Sequence, residues 1–161
     1  MITCYIGLGS NLDNPQQQIV QAIDELSMLV DCQLCAVSSI YRSKPLAGMD
    51  QPDYINAVAR LDTVLTPHVL LDKLQEIENL HDRKRLQHWG PRTLDLDLLL
   101  YGDQMFNDER LVVPHPGLDE RNFVLYPLAE ITINDMTIPG MGSLAELQSR
   151  VTANGLEKLN Q

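Results

Sequence analysis

Two carboxylates stand two positions apart in Leu94-Asp95-Leu96-Asp97-Leu98-Leu99-Leu100-Tyr101. On a strand both would leave the same face, with Cα atoms roughly 6.6 to 6.8 Å apart. Acids so spaced can share divalent cations, and oxygen-only ligands suit magnesium, with phosphate oxygens completing the coordination. Directly before them, Arg83, Lys84, Arg85 and Arg92 place four of the twelve basic residues within ten positions. Guanidinium forks match phosphate oxygens and neutralise charge that builds during transfer. Trp89, the one tryptophan, sits in that basic stretch, where an indole can close over an aromatic ligand. Upstream, Tyr54 and Asn56 would share a strand face and pair a flat ring with an amide that donates and accepts, a combination suited to a heterocycle. Phe123 is a candidate second wall, and His115, between Pro114 and Pro116, could donate to a phosphate.

Each feature also has a plainer reading. An Asp-x-Asp pair can mark an exposed edge, a charge run can end a helix in water where cations suit the dipole, and Trp89 and Phe123 can pack inward. The coincidence of paired carboxylates, a cationic stretch just before them and a lone indole within it favours a site for a small, highly charged ligand. Gly7-Leu8-Gly9-Ser10-Asn11 tempts a phosphate-loop reading, yet neither Gly-x-Gly-x-x-Gly nor Gly-x-x-x-x-Gly-Lys-Ser/Thr is present.

These residues need elements to position them. Alternation predicts a first strand over 3–8, followed by a turn at Gly9-Ser10-Asn11. Asn14-Pro15 offers a cap and a first helical residue for a helix carried by Ile19, Ile23, Leu26 and Val30. Strands are expected over 34–41 and 54–61, joined by a long connection. Thr66-Pro67 opens a second helix through Leu70, Leu74 and Ile77 that ends near Leu80. The basic stretch 81–93 leads into a fourth strand over 94–101, with Leu94, Leu96, Leu98 and Leu100 on one face and Asp95, Asp97 and Leu99 on the other. The order strand, helix, strand, strand, helix, strand is the split βαβ pattern. The expected fold is α+β, a ferredoxin-like βαββαβ core with additional C-terminal strands and helices, in one domain over 1–161. The helices would cover one sheet face, and the tail, through 122–131 and 143–151, would cover the other. Connections 42–53 and 81–93 are long enough to be binding loops.

Composition narrows the class. A net charge of -10 disfavours nucleic acid and anionic membranes as partners. The longest apolar run is far short of the roughly 20 residues of a membrane span, and the N-terminus lacks the pattern of a secretory leader, so a cytoplasmic protein is expected. Cys4, Cys32 and Cys35 are expected to be reduced thiols.

The stretch Trp89-Gly90-Pro91-Arg92-Thr93-Leu94-Asp95-Leu96-Asp97 resembles the signature of the 6-hydroxymethyl-7,8-dihydropterin pyrophosphokinase family of folate biosynthesis. The likeness extends through Ser39-Ile40-Tyr41-Arg42, 51–57, Arg83-Lys84-Arg85, 110–115 and Arg121-Asn122-Phe123, covering residues 3 to about 131. The resemblance implies a ferredoxin-like fold, ATP as donor, two Mg2+ ions, and attack of the pterin hydroxyl on the β-phosphorus with AMP leaving. It implies that Asp95 and Asp97 hold both ions and that Ser43, Leu46, Tyr54, Asn56 and Phe123 form the pterin pocket, with Trp89 closing over it. Gln75, Glu78, Arg85, Trp89, Arg92, Leu98, Arg110, His115 and Arg121 match positions that line the nucleotide, and Arg83 and Arg92 match arginines that assist transfer. The partners implied are small molecules, with a monomer expected. The chain departs from the family pattern in a stretch between Arg85 and Trp89 one residue shorter, in His88 for a common arginine and in Lys44 for a frequent proline. Two other readings use parts of the same pattern: a ligand-sensing module, which has little need of paired carboxylates, and a metal-dependent phosphohydrolase.

Overall fold

The computed structural model describes residues 1–12, 14–44, 52–82, 93–132 and 135–159. Alternation of apolar residues gives β1 (Ile2–Ser10), β2 (Cys32–Val37), β3 (Tyr41–Ser43), β4 (Tyr54–Thr63) and β5 (Asp95–Tyr101), with α1 (Pro15–Ser27) and α2 (Pro67–Asp82) in the two crossovers. All neighbouring strands run antiparallel, in the order β10-β3-β4-β1-β5 with β2 also on β4. With β10 (Leu156–Lys158) set aside and β2 and β3 counted as one broken strand, this is the ferredoxin-like order, with β1 and β4 central and β2/β3 and β5 outside. Among the described residues, no helix is long and apolar enough to cross a membrane.

Period and turn chemistry account for most of these elements, and the departures have local causes. Pro15 opens α1 as expected, but Asn14 adopts φ 60° and makes no side-chain cap. The helix closes at Ser27, so Val30 is left exposed instead of joining its apolar stripe. The expected turn at Gly9-Ser10 is instead the end of β1. The single strand expected over 34–41 is two strands. Ser38 donates its N–H to the Val58 carbonyl at 2.9 Å, while its hydroxyl accepts the Val58 N–H at 2.9 Å. A side-chain oxygen thus replaces a backbone acceptor, the ladder stops, and pairing with β4 resumes at Tyr41.

The sheet separates two cores. On one face α1 and α2 bury Ile19, Ala22, Leu26, Leu70, Leu74 and Ile77 against Ile6, Leu8, Ala59, Leu61, Leu96 and Leu98. On the other, α3 (Asn122–Glu130) and α4 (Leu144–Arg150) bury Leu125, Leu128, Leu144 and Leu147 against Tyr5, Val58 and Leu99, the cover expected from the tail. Leu100 was expected beside Leu98 but lies with the tail cluster. The register explains it: Ile6 faces Leu98 and Tyr5 faces Leu100, so β5 holds one extra residue at Leu99 and later side chains switch faces. Short ribbons complete the tail, β6 (Phe106–Asn107) with β7 (Val112–Val113) and β8 (Thr137–Ile138) with β9 (Gly142–Ser143). All three cysteines are free thiols, and burial, with Cys32 and Asp62 nearby, pushes the Cys4 thiol up to about 12.

Candidate active site

Sheet register assembles the site. Gly9 of β1 faces Asp95 on one side and Asn56 on the other, and Gly7 faces Asp97 and Val58. The central strand is therefore bare between the acids of β5 and the amide of β4. A Cβ on Gly9 would lie 3.3 Å from Asn56 Nδ2, a tight approach, and the rest of any larger side chain would stand in the opening. The result is a cleft of about 690 Å³ on the tail-side face, floored by Gly7 and Gly9 and bounded by Asp95, Asp97, Tyr54 and Asn56, with Phe123 and Arg121 above. That volume suits a small-molecule site.

At one end, Ser43 donates its hydroxyl to Asn56 Oδ1 at 2.8 Å, fixing the amide so that its NH2 faces away from Ser43. Phe123 stands in the first turn of α3, and the Arg121 guanidinium lies 5.8 Å from its ring centroid. Gly117 permits this placement, because a Cβ there would meet Arg121 Nε at 2.5 Å. At the other end, His115 accepts the Gly117 N–H at Nδ1, 3.2 Å, which leaves the proton on Nε2, 3.9 Å from Asp97 Oδ2. Burial pushes the His115 pKa down; Asp97 opposes this and Arg121 adds to it, so the ring is neutral at pH 7.

The start of β5 is held at several points. Thr93 Oγ1 lies 2.5 Å from Asp82 Oδ1 and 3.1 Å from the His81 carbonyl, and Thr93 N–H donates to the same Asp82 oxygen. Ser10 Oγ donates to the Thr93 carbonyl. Between the two acids, Leu96 N–H donates to the buried Glu78 carboxylate at 2.8 Å. These bonds link the C-terminus of α2, the end of β1 and the strand that carries Asp95 and Asp97.

The residues expected in the site fall into four groups. Ser43, Tyr54, Asn56, Asp95, Asp97, Arg121 and Phe123 converge on the cleft, with His115 against Asp97. Gln75 and Arg110 lie outside its lining: Arg110 donates to Asp72 Oδ1 at 2.5 Å and Gln75 Oε1 at 3.4 Å. Glu78 and Leu98 are buried, and the Leu98 side chain belongs to the helix-side core, which leaves its peptide group for any ligand contact. Leu46, Arg83, Arg85, Trp89 and Arg92 lie outside the described residues. Sequence reasoning missed the glycine floor, whose signal was the same two-residue spacing as the acids. It also missed Val151 and Thr152 in the wall, which carry no motif.

The donor set bears on a metal. No group of three or more His, Cys, Asp or Glu side chains converges among the described residues. Two carboxylates cannot enclose an ion, but they fit magnesium, which is commonly held by one or two carboxylates with substrate phosphates and water supplying the rest.

Fold and site together define a class: a ferredoxin-like α+β domain whose sheet face sets paired acids in one cleft with Tyr54, Asn56 and Phe123. Comparison with known proteins sharpens it. The sequence profile of the 7,8-dihydro-6-hydroxymethylpterin-pyrophosphokinase family matches residues 5–133, and the chain belongs to that family. It is 48% identical over 160 residues to the 2-amino-4-hydroxy-6-hydroxymethyldihydropteridine pyrophosphokinase of Haemophilus influenzae, covering 99% of each chain. With the enzyme of the same name from Pseudomonas aeruginosa it shares 48% over 155 residues, 96% of this chain and 95% of that one. Its fold matches the HPPK-DHPS of Plasmodium falciparum solved with pteroate at a TM-score of 0.72 and 12% identity, covering 92% of this chain and 42% of that longer one.

Proposed function

We propose that the chain transfers the pyrophosphoryl group of ATP to the hydroxymethyl oxygen of 6-hydroxymethyl-7,8-dihydropterin at this cleft, releasing AMP and the pterin diphosphate, a step of folate biosynthesis. The observation that carries the assignment to the cleft is the row Asn56-Gly9-Asp95, in which an amide suited to a heterocycle edge faces a carboxylate across a bare strand. Family membership and the names of its relatives support the reaction.

In this reading Asn56, braced by Ser43, binds the ring edge, and Tyr54 and Phe123 hold its faces. The hydroxymethyl arm then points along the floor toward Asp95 and Asp97. Its oxygen attacks the β-phosphorus in line, the bond from that phosphorus to the oxygen bridging toward the α-phosphate breaks, and AMP leaves with the electron pair. Asp97 would accept the hydroxyl proton, and the neutral His115 faces Asp97 through Nε2–H. Asp95 and Asp97 would hold two magnesium ions, which when bound neutralise the phosphates and orient the triphosphate. Arg121 adds fixed positive charge beside the ring, and Arg83, Arg85 and Arg92, with Trp89, are proposed to complete the nucleotide end. Transfer of this kind asks mainly for positioning and charge neutralisation, and a strong base is not required.

AMP release with ATP, Mg2+ and the hydroxymethyl pterin tests the assignment. Asp97→Ala is expected to lower turnover by about 100- to 1,000-fold with a native melting temperature. Equal turnover by the two proteins contradicts it, and AMP release without the pterin identifies a hydrolase.

A further inference from the structure

The family profile ends at residue 133, yet the cleft wall does not. Val151 and Thr152, in the segment after α4, line it beside Tyr54, Phe123 and Ser43. Three sets of bonds fix this segment, and all of them reach residues flanking or forming the ring pocket. The Asn122 side-chain amide donates to the Thr152 carbonyl at 3.0 Å and the Asn154 carbonyl at 3.1 Å. The Tyr126 hydroxyl donates to the Val151 carbonyl at 3.0 Å. β10 then pairs with β3, setting Leu156 opposite Ser43, the residue that orients Asn56.

We infer that the C-terminal strap 151–158 is part of the substrate pocket and that Asn122 is its positioning residue, setting the wall against which the heterocycle binds. The inference rests on the reading that Tyr54, Asn56 and Phe123 hold the pterin. Its chemistry is specific. Asn122 immediately precedes Phe123, and one NH2 group meets two carbonyls of the strap, so a single side chain couples the ring-facing aromatic to the wall. The bonds that hold the strap run to Asn122, Tyr126 and β3, at the ring end of the cleft, so loosening it should weaken pterin binding and leave the nucleotide and the chemical step nearly as they were. An asparagine that only filled space would tolerate an isosteric aspartate. A donor to two carbonyls would not, because a carboxylate there faces two oxygens with no proton to offer.

Steady-state kinetics on the full chain, varying pterin and ATP separately, tests this. Asn122→Ala is expected to raise the pterin KM about 5- to 20-fold, leaving the ATP KM within about twofold and kcat within about threefold. Asn122→Asp should raise it further. Tyr126→Phe, which deletes one bond on the far side of the strap and should fold even where Asn122 variants fail, should raise it about two- to fourfold. An unchanged pterin KM in a natively melting Asn122→Ala, pterin and ATP KM values rising together, or an unchanged pterin KM in Tyr126→Phe overturns the inference while the wild-type turnover stands. A wild-type chain with no pterin-dependent AMP release would instead bring down the underlying reading, and the inference with it.

Discussion

The two faces of the central sheet are built from the same strands and do opposite work. On the helix side every position between β1 and β5 is filled, with Ile6, Leu8, Leu96 and Leu98 packed under α1 and α2. On the tail side the same strands present Gly7, Gly9, Asp95 and Asp97, and the next covering side chains stand back as the walls of a cleft. Both faces carry a core, but only the tail-side face leaves an opening, and the proposed chemistry lies there. A two-residue period lets one strand serve both, because changing a residue on one face leaves the other untouched.

Substitutions that make one face resemble the other break this division most severely. Gly9→Val would place a branched side chain on the floor beside Asn56. Turnover is expected to fall by about 100-fold or more, by analogy with the cost of misplacing reactants by about 1 Å, while thermal melting changes little, because valine's better strand propensity offsets the tight approach to Asn56 Nδ2. Loss of turnover and stability together would mean that Gly9 serves packing only. Leu74→Ala, in the helix-side core, is the mirror case. It should cost about 2 to 5 kcal/mol in denaturant unfolding, and the molecules still folded should turn over normally.

A milder break lies where the faces meet. Thr93→Val removes the hydroxyl that bonds Asp82 at the start of β5. It should lower kcat about tenfold and stability by about 1 to 2 kcal/mol, measured by turnover and chemical unfolding. The smallest effect is expected far from the acids. Burial pushes the Glu130 carboxyl up, but the Tyr41 hydroxyl, the Ser39 N–H and the Lys158 ammonium outweigh it and hold its pKa below the usual carboxylate range. A carboxyl lowered in the folded state contributes stability above its unfolded pKa of about 4.3 and loses it as pH falls through the folded value. The stability difference between wild type and Glu130→Gln should therefore be full near pH 6 and shrink on acidification below about pH 4.3. A difference that grows on acidification would reverse the sign.

Much of the closed face was legible because leucine at alternate positions in 94–98 and helical spacing in 19–26 and 70–77 mark the buried stripes; the same alternation carried on to Leu100 gave the wrong face. The acids and the Tyr54–Asn56 pair were legible by the same parity. Features set by partners in space were not. Leu99 is an extra residue only in register with Tyr5 and Ile6, the 38–40 break needs the Val58 backbone, and Gly7 and Gly9 become a floor only once β5 lies beside β1. The strap at 151–152 enters the wall through Asn122 and Tyr126, residues distant in sequence, and nothing local in its composition marks it.

A crystal structure of the chain with Mg2+, a nonhydrolysable ATP analogue and 6-hydroxymethylpterin tests the division of faces most directly. The account predicts carboxylate oxygens of both Asp95 and Asp97 about 2.0 to 2.1 Å from the ions, with the pterin over Gly9 between Tyr54 and Phe123. Ions bound away from those two acids, or a pterin seated elsewhere with the glycine floor bare, would contradict it.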